Sequence, residues 1–522
     1  MKTLKSFVTG KWIEGKGKPA ALVDPSTEEV VAETSTEGLD FKEIVAFARR
    51  GGPALRAMTF AQRGELIRKL AAAAQAGREE LLNLGVQNGG NTRGDAKFDV
   101  DGAIGTLNAY ADLGATLGDR KVLLDGEGIG IGRSARLYGQ HVFLPRDGVA
   151  IHVNAFNFPA WGMAEKLGTT LLAGMPVISK PATATALVAH RMMEMFVDCA
   201  ALPEGAMSFI CGSPGALLEQ LTAQDVLAFT GSGMTATHLR TLRNVVAESV
   251  HVNVEADSLN AALLGPDVEP GSDVWNLFIG DVVKEMTQKT GQKCTATRRI
   301  YVSAARLDEV REALCDKLKD FRVGNPANEK VNLGPVSTAA QLKDVRAGIE
   351  ALAKCGELAI GGAGAVEGIG APAGKGYFVA PTLLVAKDPR PGDYIHGHEV
   401  FGPVASLMPY GDKGARAVEL VRAGGGGLVS SLYSDDKAFV AEVVLGIAPY
   451  HGRVTIAGEK VAGSSLPPGM VLPQLLHGGP GRAGGGEELG GTRGMQLYMQ
   501  RTAIQGNRAT IESIFGAAAP KP

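Results

Sequence analysis

No apolar run in the chain reaches the roughly 18 residues that a membrane-spanning helix needs, so an ordinary membrane helix is excluded. Met1–Gly17 carries Lys2, Lys5, Lys11, Glu14 and Lys16, which leaves no apolar stretch long enough for a signal peptide. Cysteine is scarce. Cys199, Cys211, Cys294, Cys315 and Cys355 are odd in number and scattered, fitting neither a disulfide framework nor a Cys-x-x-Cys metal pattern. Net charge is small too: 53 Lys and Arg against 55 Asp and Glu leave −2, so no global field attracts nucleic acid. These absences point to a cytoplasmic protein with no membrane or nucleic-acid partner.

What the chain has in excess is glycine. Seventy glycines (Gly 70 in 522 residues) are nearly twice the usual share of about 7 %. No Gly-x-y period accompanies them, so they are expected to serve turns and close backbone approach. At about 150 residues per domain, the length implies three to four domain-sized units. Phe60 to Leu84 is rich in Ala, Leu, Glu, Lys and Arg at helical spacing and predicts one helix. From about Val142 short apolar runs, Gly148–Val153, Met175–Ser179 and Met207–Ile210, alternate with helix-like stretches. That alternation predicts an α/β fold with a mostly parallel sheet. It resumes beyond Glu255 with a strand at Arg299–Val302, a helix at Arg306–Phe321 and a strand at Leu428–Tyr433. Two successive α/β units are expected, with the break near Glu255–Asn260. Glycine is densest at Gly361–Gly376, Gly424–Gly427 and His477–Gly494, all read as loops.

Four segments carry candidate chemistry. Cys294 lies in GQKCTATRR, a polar stretch expected at a surface or cleft, where the adjacent Lys293 would favour thiolate. A small buried hydrophobe is the other reading of any cysteine. Glu255 ends the β-prone run HVNVE, where parallel sheets place active-site groups; burial there would raise its pKa towards that of a general base. A surface carboxylate at a strand end is the alternative. Asn157 in NAFNFPAW could present a side-chain amide to an oxyanion, or satisfy its own turn. MPVISKPA (175–182) and FTGSG (229–233) are strands running into Lys180–Pro181 and Gly231–Ser232, suited to presenting backbone N–H groups to a phosphate. Neither segment follows GxGxxG.

Taken in order, these segments resemble the NAD(P)-dependent aldehyde dehydrogenase superfamily over nearly the whole chain. The similarity runs through DPSTEEVV at 24–31, FNFP at 156–159, SKPA at 179–182, FTGS at 229–232 and Glu255. It continues with GQKC at 291–294, VGNP at 323–326, PTLL at 381–384, EVFGPV at 399–404, GGGEELGG at 484–491 and GMQLY at 494–498. The resemblance implies Cys294 as nucleophile, Glu255 as the base for thioester hydrolysis, and Asn157 as oxyanion donor. It implies Glu488 as a proton relay, Glu399 as the holder of the nicotinamide ribose with Phe401 beside it, and Phe156 as an aromatic wall. Lys180, Pro181, Thr183, Gly231 and Ser232 would complete the cofactor site. Many NAD-preferring members carry a glutamate where this chain has Thr183, so NADP is the expected cofactor and NAD the alternative.

The chain departs from the family pattern at Phe156 (usually Trp), Ala236 (usually Gly), Glu487 (usually Arg) and His477 (commonly aromatic). The tail HGGPGRAGGGEELGG resembles members that oxidise CoA-linked semialdehydes in aerobic benzoate and phenylacetate breakdown. A CoA-thioester aldehyde is the implied substrate, and the end at Pro522 suggests the free-standing type rather than a hydratase fusion. The glycines at 478–494 leave open whether they make room for the CoA handle or only tight turns. A thiolate esterase on the same fold is the alternative activity. The implied architecture is a Rossmann-like cofactor domain (1–128 and 149–255), an α/β catalytic domain (256–477), and a small β oligomerisation element with tail (129–148 and 478–522) that makes a homodimer. No metal site is expected: His396 and His398 read as a solvated loop. The pairs Arg49–Arg50 and Arg298–Arg299 read as surface or interface charges, and Cys199, Cys211, Cys315 and Cys355 as core packing.

Overall fold

Two seven-stranded sheets organise the computed structural model, which describes residues 2–134 and 136–516. In the first sheet the strands lie in the order His251–Glu255, Val226–Thr230, Ala150–Val153, Val177–Lys180, Met207–Phe209, Ser6–Val8 and Lys11–Ile13. The first five are parallel and the last two antiparallel. The second sheet runs Glu357–Ile360, Thr382–Val385, Val404–Pro409, Thr297–Val302, Asn260–Leu264, Gly427–Tyr433 and His451–Ala457, parallel except at its Glu357–Ile360 edge. Strands such as Val177–Lys180 and Asn260–Leu264 are buried along their whole length, as a sheet covered by helices on both faces requires. The α/β expectation holds. Between Glu255 and Asn260 the chain leaves one sheet and enters the other, so the carboxyl end of the first faces the second across a short connection.

The expected helix from Phe60 to Leu84 is two helices, Phe60–Ala76 and Arg78–Gly89. Gly77 joins them as C-cap of the first and N-cap of the second, at the non-helical φ −96°, ψ 12°. A third sheet pairs Leu137–Pro145 antiparallel with Met499–Asn507, from Leu137↔Asn507 to Pro145↔Met499, and leaves Met499–Asn507 at its edge. No helix among the described residues is long and apolar enough to cross a membrane.

The glycine-rich tail docks onto the first sheet. Gly486 N donates to Val254 O at 2.9 Å and Ala256 N to Ala483 O at 3.0 Å. A Cβ on Gly484 or Gly486 would sit 2.4 or 2.3 Å from the Val254 carbonyl oxygen. These two glycines are therefore required by backbone-on-backbone packing against the Glu255 strand. They close a contact and do not open space for a ligand.

Candidate active site

Cys294 follows a turn in which Lys289, Thr290 and Gly291 all have positive φ (54°, 54° and 67°). Left-handed backbone is costly for a β-branched threonine. It persists because Lys289 N donates to Asp95 Oδ1 at 2.9 Å and Thr290 Oγ1 to Gly334 O at 3.0 Å. On the far side of the nucleophile, Asn260 Nδ2 donates to Cys294 O at 2.8 Å and to Ala296 O at 2.9 Å. Asn260 Oδ1 in turn accepts from Leu428 N and Val429 N. One buried amide thus fixes the nucleophile segment to the second sheet. It stands at the break read from the sequence, with no sign there of this role.

The polar flanks of Cys294 are not at the surface. Gln292, Lys293 and Thr295 are all buried. Lys293 Nζ donates to Glu285 Oε2 at 2.7 Å and to Gln288 Oε1 at 2.9 Å, so its charge is committed away from the sulfur. The expected thiolate-favouring lysine is thereby corrected. Burial pushes the Cys294 thiol well above its usual range, and the carboxylates of Glu255, Glu165 and Glu399 push it further.

Two hollows meet at this sulfur. A narrow chamber is lined by Phe98, Phe158, Trp161, Glu165, Lys166, Val471 and His477. A wider cleft opens on the other side, lined by Phe156, Ala182, Gly231, Ser232, Glu399, Phe401 and Arg482 among others. Asn157, Thr230, Glu255 and Cys294 line both. Asn157 Nδ2 donates to Gln292 O at 3.0 Å, which orients the amide and uses one of its two N–H groups.

Glu255 is buried at the end of its strand, but its electrostatics differ from the expectation. Burial alone would raise its pKa; the His477 imidazole, 3.2 Å from Oε2, together with Lys166 and the Cys294 thiol, outweighs burial and lowers it. His477 is set here by the hairpin Leu476–Gly478/Glu487–Leu489, in which it pairs directly with Glu488. Glu488 Oε2 accepts from Lys166 Nζ at 3.0 Å and Oε1 from Asn253 Nδ2 at 3.3 Å. Lys166 Nζ also reaches Thr230 Oγ1 at 2.8 Å and Glu165 Oε1 at 3.3 Å. Burial opposes charge on Lys166, yet Glu488, Glu165 and Glu255 raise its pKa and keep it a cation. Glu165 is raised well above the carboxylate range by burial, only partly offset by Lys166. Glu165 and Lys166 lie in a helix that reads as ordinary core, which is why the sequence does not flag them.

In the cleft, Glu399 Oε2 accepts from Ser258 N at 2.9 Å, and its Oε1 lies 3.3 Å from Arg298 Nε. Burial raises its pKa to about 7, against the lowering effect of Arg298. Arg298 and Arg299 are buried, contrary to the surface reading. Arg298 donates to Gly402 O and Gly291 O, both at 2.8 Å, and covers the Phe401 ring; Arg299 donates to Leu259 O at 2.7 Å. Arg49, by contrast, pairs with Asp225 and Arg50 with the exposed Glu43. Phe156 and Phe401 meet edge to face at 5.8 Å. Ser232 caps the helix Gly233–Arg240, accepting from Thr235 N. Lys180, Pro181 and Thr183 are not among the cleft-lining residues: Lys180 is buried at its strand end, and Thr183 opens the turn Thr183–Thr185 beyond Ala182. His396 and His398 do not converge, for His396 is buried against Arg299 and Tyr301 while His398 stacks on Tyr394. Of the other cysteines Cys211 is buried and the rest half-buried, all unpaired.

The model of the aldehyde dehydrogenase family matches residues 12–504. The chain belongs to that family. It is an oxidoreductase that oxidises an aldehyde with a nicotinamide cofactor. It is 45 % identical over 478 residues, 91 % of this chain and 93 % of the relative, to a 3,4-dehydroadipyl-CoA semialdehyde dehydrogenase of Aromatoleum evansii. Among solved structures, the NAD+ complex of an aldehyde dehydrogenase from Bacillus cereus shares the fold with TM-score 0.82 at 23 % identity, covering 97 % of both chains. Lactaldehyde dehydrogenase from Escherichia coli does so with TM-score 0.84 at 23 % identity, covering 97 % of this chain and 99 % of that one.

Proposed function

We propose that this aldehyde dehydrogenase oxidises 3,4-dehydroadipyl-CoA semialdehyde, or a closely similar CoA-linked aldehyde, with NADP, in aerobic benzoate catabolism. The carrying observation is the 45 % identity over nine-tenths of the chain to the enzyme of that name. The chamber is lined mainly by aromatic and apolar side chains and reaches Cys294. An acyl chain bearing the aldehyde enters it, and the CoA nucleotide stays outside.

In this reading Cys294 Sγ adds to the aldehyde carbon, and the oxyanion lies between the free N–H of Asn157 and the Cys294 backbone N–H. The cleft lies at the carboxyl ends of parallel strands and holds a carboxylate, Glu399, whose side chain is 9% exposed, for a ribose hydroxyl. Phe156, Phe401, Gly231 and Ser232 would line it, with Lys180, Pro181 and Thr183 at its outer end. A bound nicotinamide supplies a hydride acceptor. Glu255 takes the proton of the water that hydrolyses the Cys294 thioester, and Glu488 with Lys166 carries that proton onward. The absence of an acid at Thr183 supports NADP.

We assign the residues to a cofactor unit (1–128 and 149–255), a catalytic unit (256–477) and an oligomerisation unit with tail (129–148 and 478–522), of which 478–489 pack on the first sheet beside the site. Met499–Asn507 and His451–Ala457 are both edge strands, which supports a homodimer by strand addition. Five unpaired cysteines support a cytoplasmic setting. Steady-state kinetics with simple aldehydes and acyl-CoA semialdehydes, each with NADP and NAD, test the reading. The highest kcat/KM is expected for the CoA-linked semialdehyde with NADP. No reduced cofactor with any CoA-linked aldehyde overturns it.

A further inference from the structure

The thiol of Cys294 faces a difficulty that the preceding scheme does not resolve. Its conjugate thiolate would form in a buried site facing Glu255, Glu165 and Glu399. The neighbouring lysines are committed elsewhere, Lys293 to Glu285 and Lys166 to Glu488 and Glu165. Arg453 gives Nη1 to Met470 O and leaves Nε and Nη2 without a partner among the described residues, but a guanidinium has no lone pair to take the thiol proton. Among the described residues one nitrogen able to accept a proton lies against the sulfur: His477 Nε2, at 3.9 Å. The same nitrogen lies 3.2 Å from Glu255 Oε2, and the reactive atoms of all three side chains fall within 4.8 Å of one another. Nδ1 of His477 is buried and meets no hydrogen-bond partner among the described residues, so no protein group fixes the tautomer.

Resting on the aldehyde dehydrogenase reading of the site, we infer that His477 is a catalytic residue, the base that takes the Cys294 thiol proton and hands the resulting charge to Glu255. The geometry sets the order of events. As the Nδ1–H tautomer, His477 offers the Nε2 lone pair to Sγ–H. The S–H bond breaks, the proton bonds to Nε2, and the electron pair stays on sulfur. That pair forms the S–C bond to the aldehyde carbon while the carbonyl π pair moves to oxygen. The new Nε2–H then points at Glu255 Oε2, so the imidazolium lies between a carboxylate and the reacting sulfur. One nitrogen serves both partners, and protonation switches it from acceptor to donor.

Once protonated, Nε2–H faces Glu255 Oε2 at 3.2 Å, and this contact holds the Glu255 carboxylate ionised and available through the first half-reaction. After the established hydride transfer leaves the thioester, water adds to the acyl carbon and gives its proton to Glu255. Sulfur departs as thiolate and recovers its proton from His477, while the proton on Glu255 leaves towards Glu488, Lys166 and Glu165. An aromatic residue, common at this position in the family, cannot take part in any of these transfers.

Alkylation of Cys294 by iodoacetamide tests the inference without any aldehyde, so its outcome is independent of the substrate assignment. The rate is followed across pH on the full-length protein by mass spectrometry of the Cys294 peptide, alongside thiolate ultraviolet absorbance. In His477→Phe and His477→Gln the alkylation rate near neutral pH should fall by about tenfold or more, and the midpoint of its pH profile should rise by about one unit or more. NADP binding, read by protein fluorescence, and the cooperative melting transition should persist, because His477 does not line the cleft. If His477→Phe does not fold, His477→Gln, which keeps polarity and length without titrating, decides alone. A folded variant whose alkylation midpoint is unchanged or lower overturns the inference.

Discussion

The cleft and the chamber share Asn157, Thr230, Glu255 and Cys294, yet their other walls are chemically unlike. The cleft is built from strand ends, an edge-to-face pair of phenylalanines and the carboxylates of Asp257 and Glu399, the latter held by Arg298. The chamber sets three aromatic side chains beside a buried ionic cluster of Glu165, Lys166, Glu255, His477 and Glu488. Burying charges is costly unless each is paired, and replacing such a cluster by apolar groups is often neutral or stabilising. A fold that only needed to bind an acyl chain would gain little from it. The contrast separates a side that holds a ligand from a side that moves protons.

The sharpest way to break this division is at the shared residues. Cys294→Ala should lower turnover by about 10⁴-fold or more, with folding and cofactor binding intact. Glu255→Gln should give one burst of reduced nicotinamide and then stall, with kcat down by about 10²–10³-fold. Rapid-mixing absorbance checks both, together with mass spectrometry for the acylated Cys294. Normal steady-state turnover of the glutamine variant would remove Glu255 from the hydrolytic step.

The same division tracks what could be read from the chain alone. The cleft and the nucleophile announce themselves through local strings, FTGS, GQKC and EVFGPV, whose residues lie together in sequence. The chamber does not. Lys166 meets Glu488 across 322 positions, and both Lys166 and Glu165 sit in an otherwise apolar helix pattern that reads as core. Arg298 looked like a surface charge because its neighbours are polar; its burial follows from carbonyl acceptors at Gly291 and Gly402, the latter more than one hundred positions away. Gly77 sits inside a helical pattern whose period runs through it, yet its backbone leaves helical geometry there. Composition and period record short-range order; long-range pairing of charges leaves no mark on either.

Removing the single firm cation of the chamber should cost stability before it costs chemistry. Lys166→Met leaves the Glu488 carboxylate buried without its cation, a loss of about 3–5 kcal/mol. Thermal unfolding should show a clear drop in Tm. Lys166→Met combined with Glu488→Gln should recover a large part of it, because fewer uncompensated carboxylates then remain. Equal Tm values for wild type and Lys166→Met would show the cluster to be solvated and the contrast overdrawn.

On the cleft side the effects should be smaller and confined to the cofactor. Thr183→Glu places an acid beside the position proposed for the 2′-phosphate, and kcat/KM for NADP relative to NAD should fall by about tenfold. An unchanged ratio would mean that Thr183, which does not line the cleft, lies too far out to read the phosphate.

The mildest test uses pH. Glu399 must be ionised to accept hydrogen bonds from a ribose diol, and burial raises its pKa to about 7 despite Arg298. A raised carboxylate pKa means that the neutral acid predominates below about 7 and the acceptor form above it. KM for the cofactor should therefore fall as pH rises from about 6 to 8, by the several-fold change that one titrating group allows. Glu399→Gln, which cannot titrate, should have a higher KM and a flat profile over that range. The chamber predicts the opposite partition, since its groups act on kcat. A pH dependence that survived Glu399→Gln in KM would transfer the effect to another group and weaken the separation of binding from proton transfer.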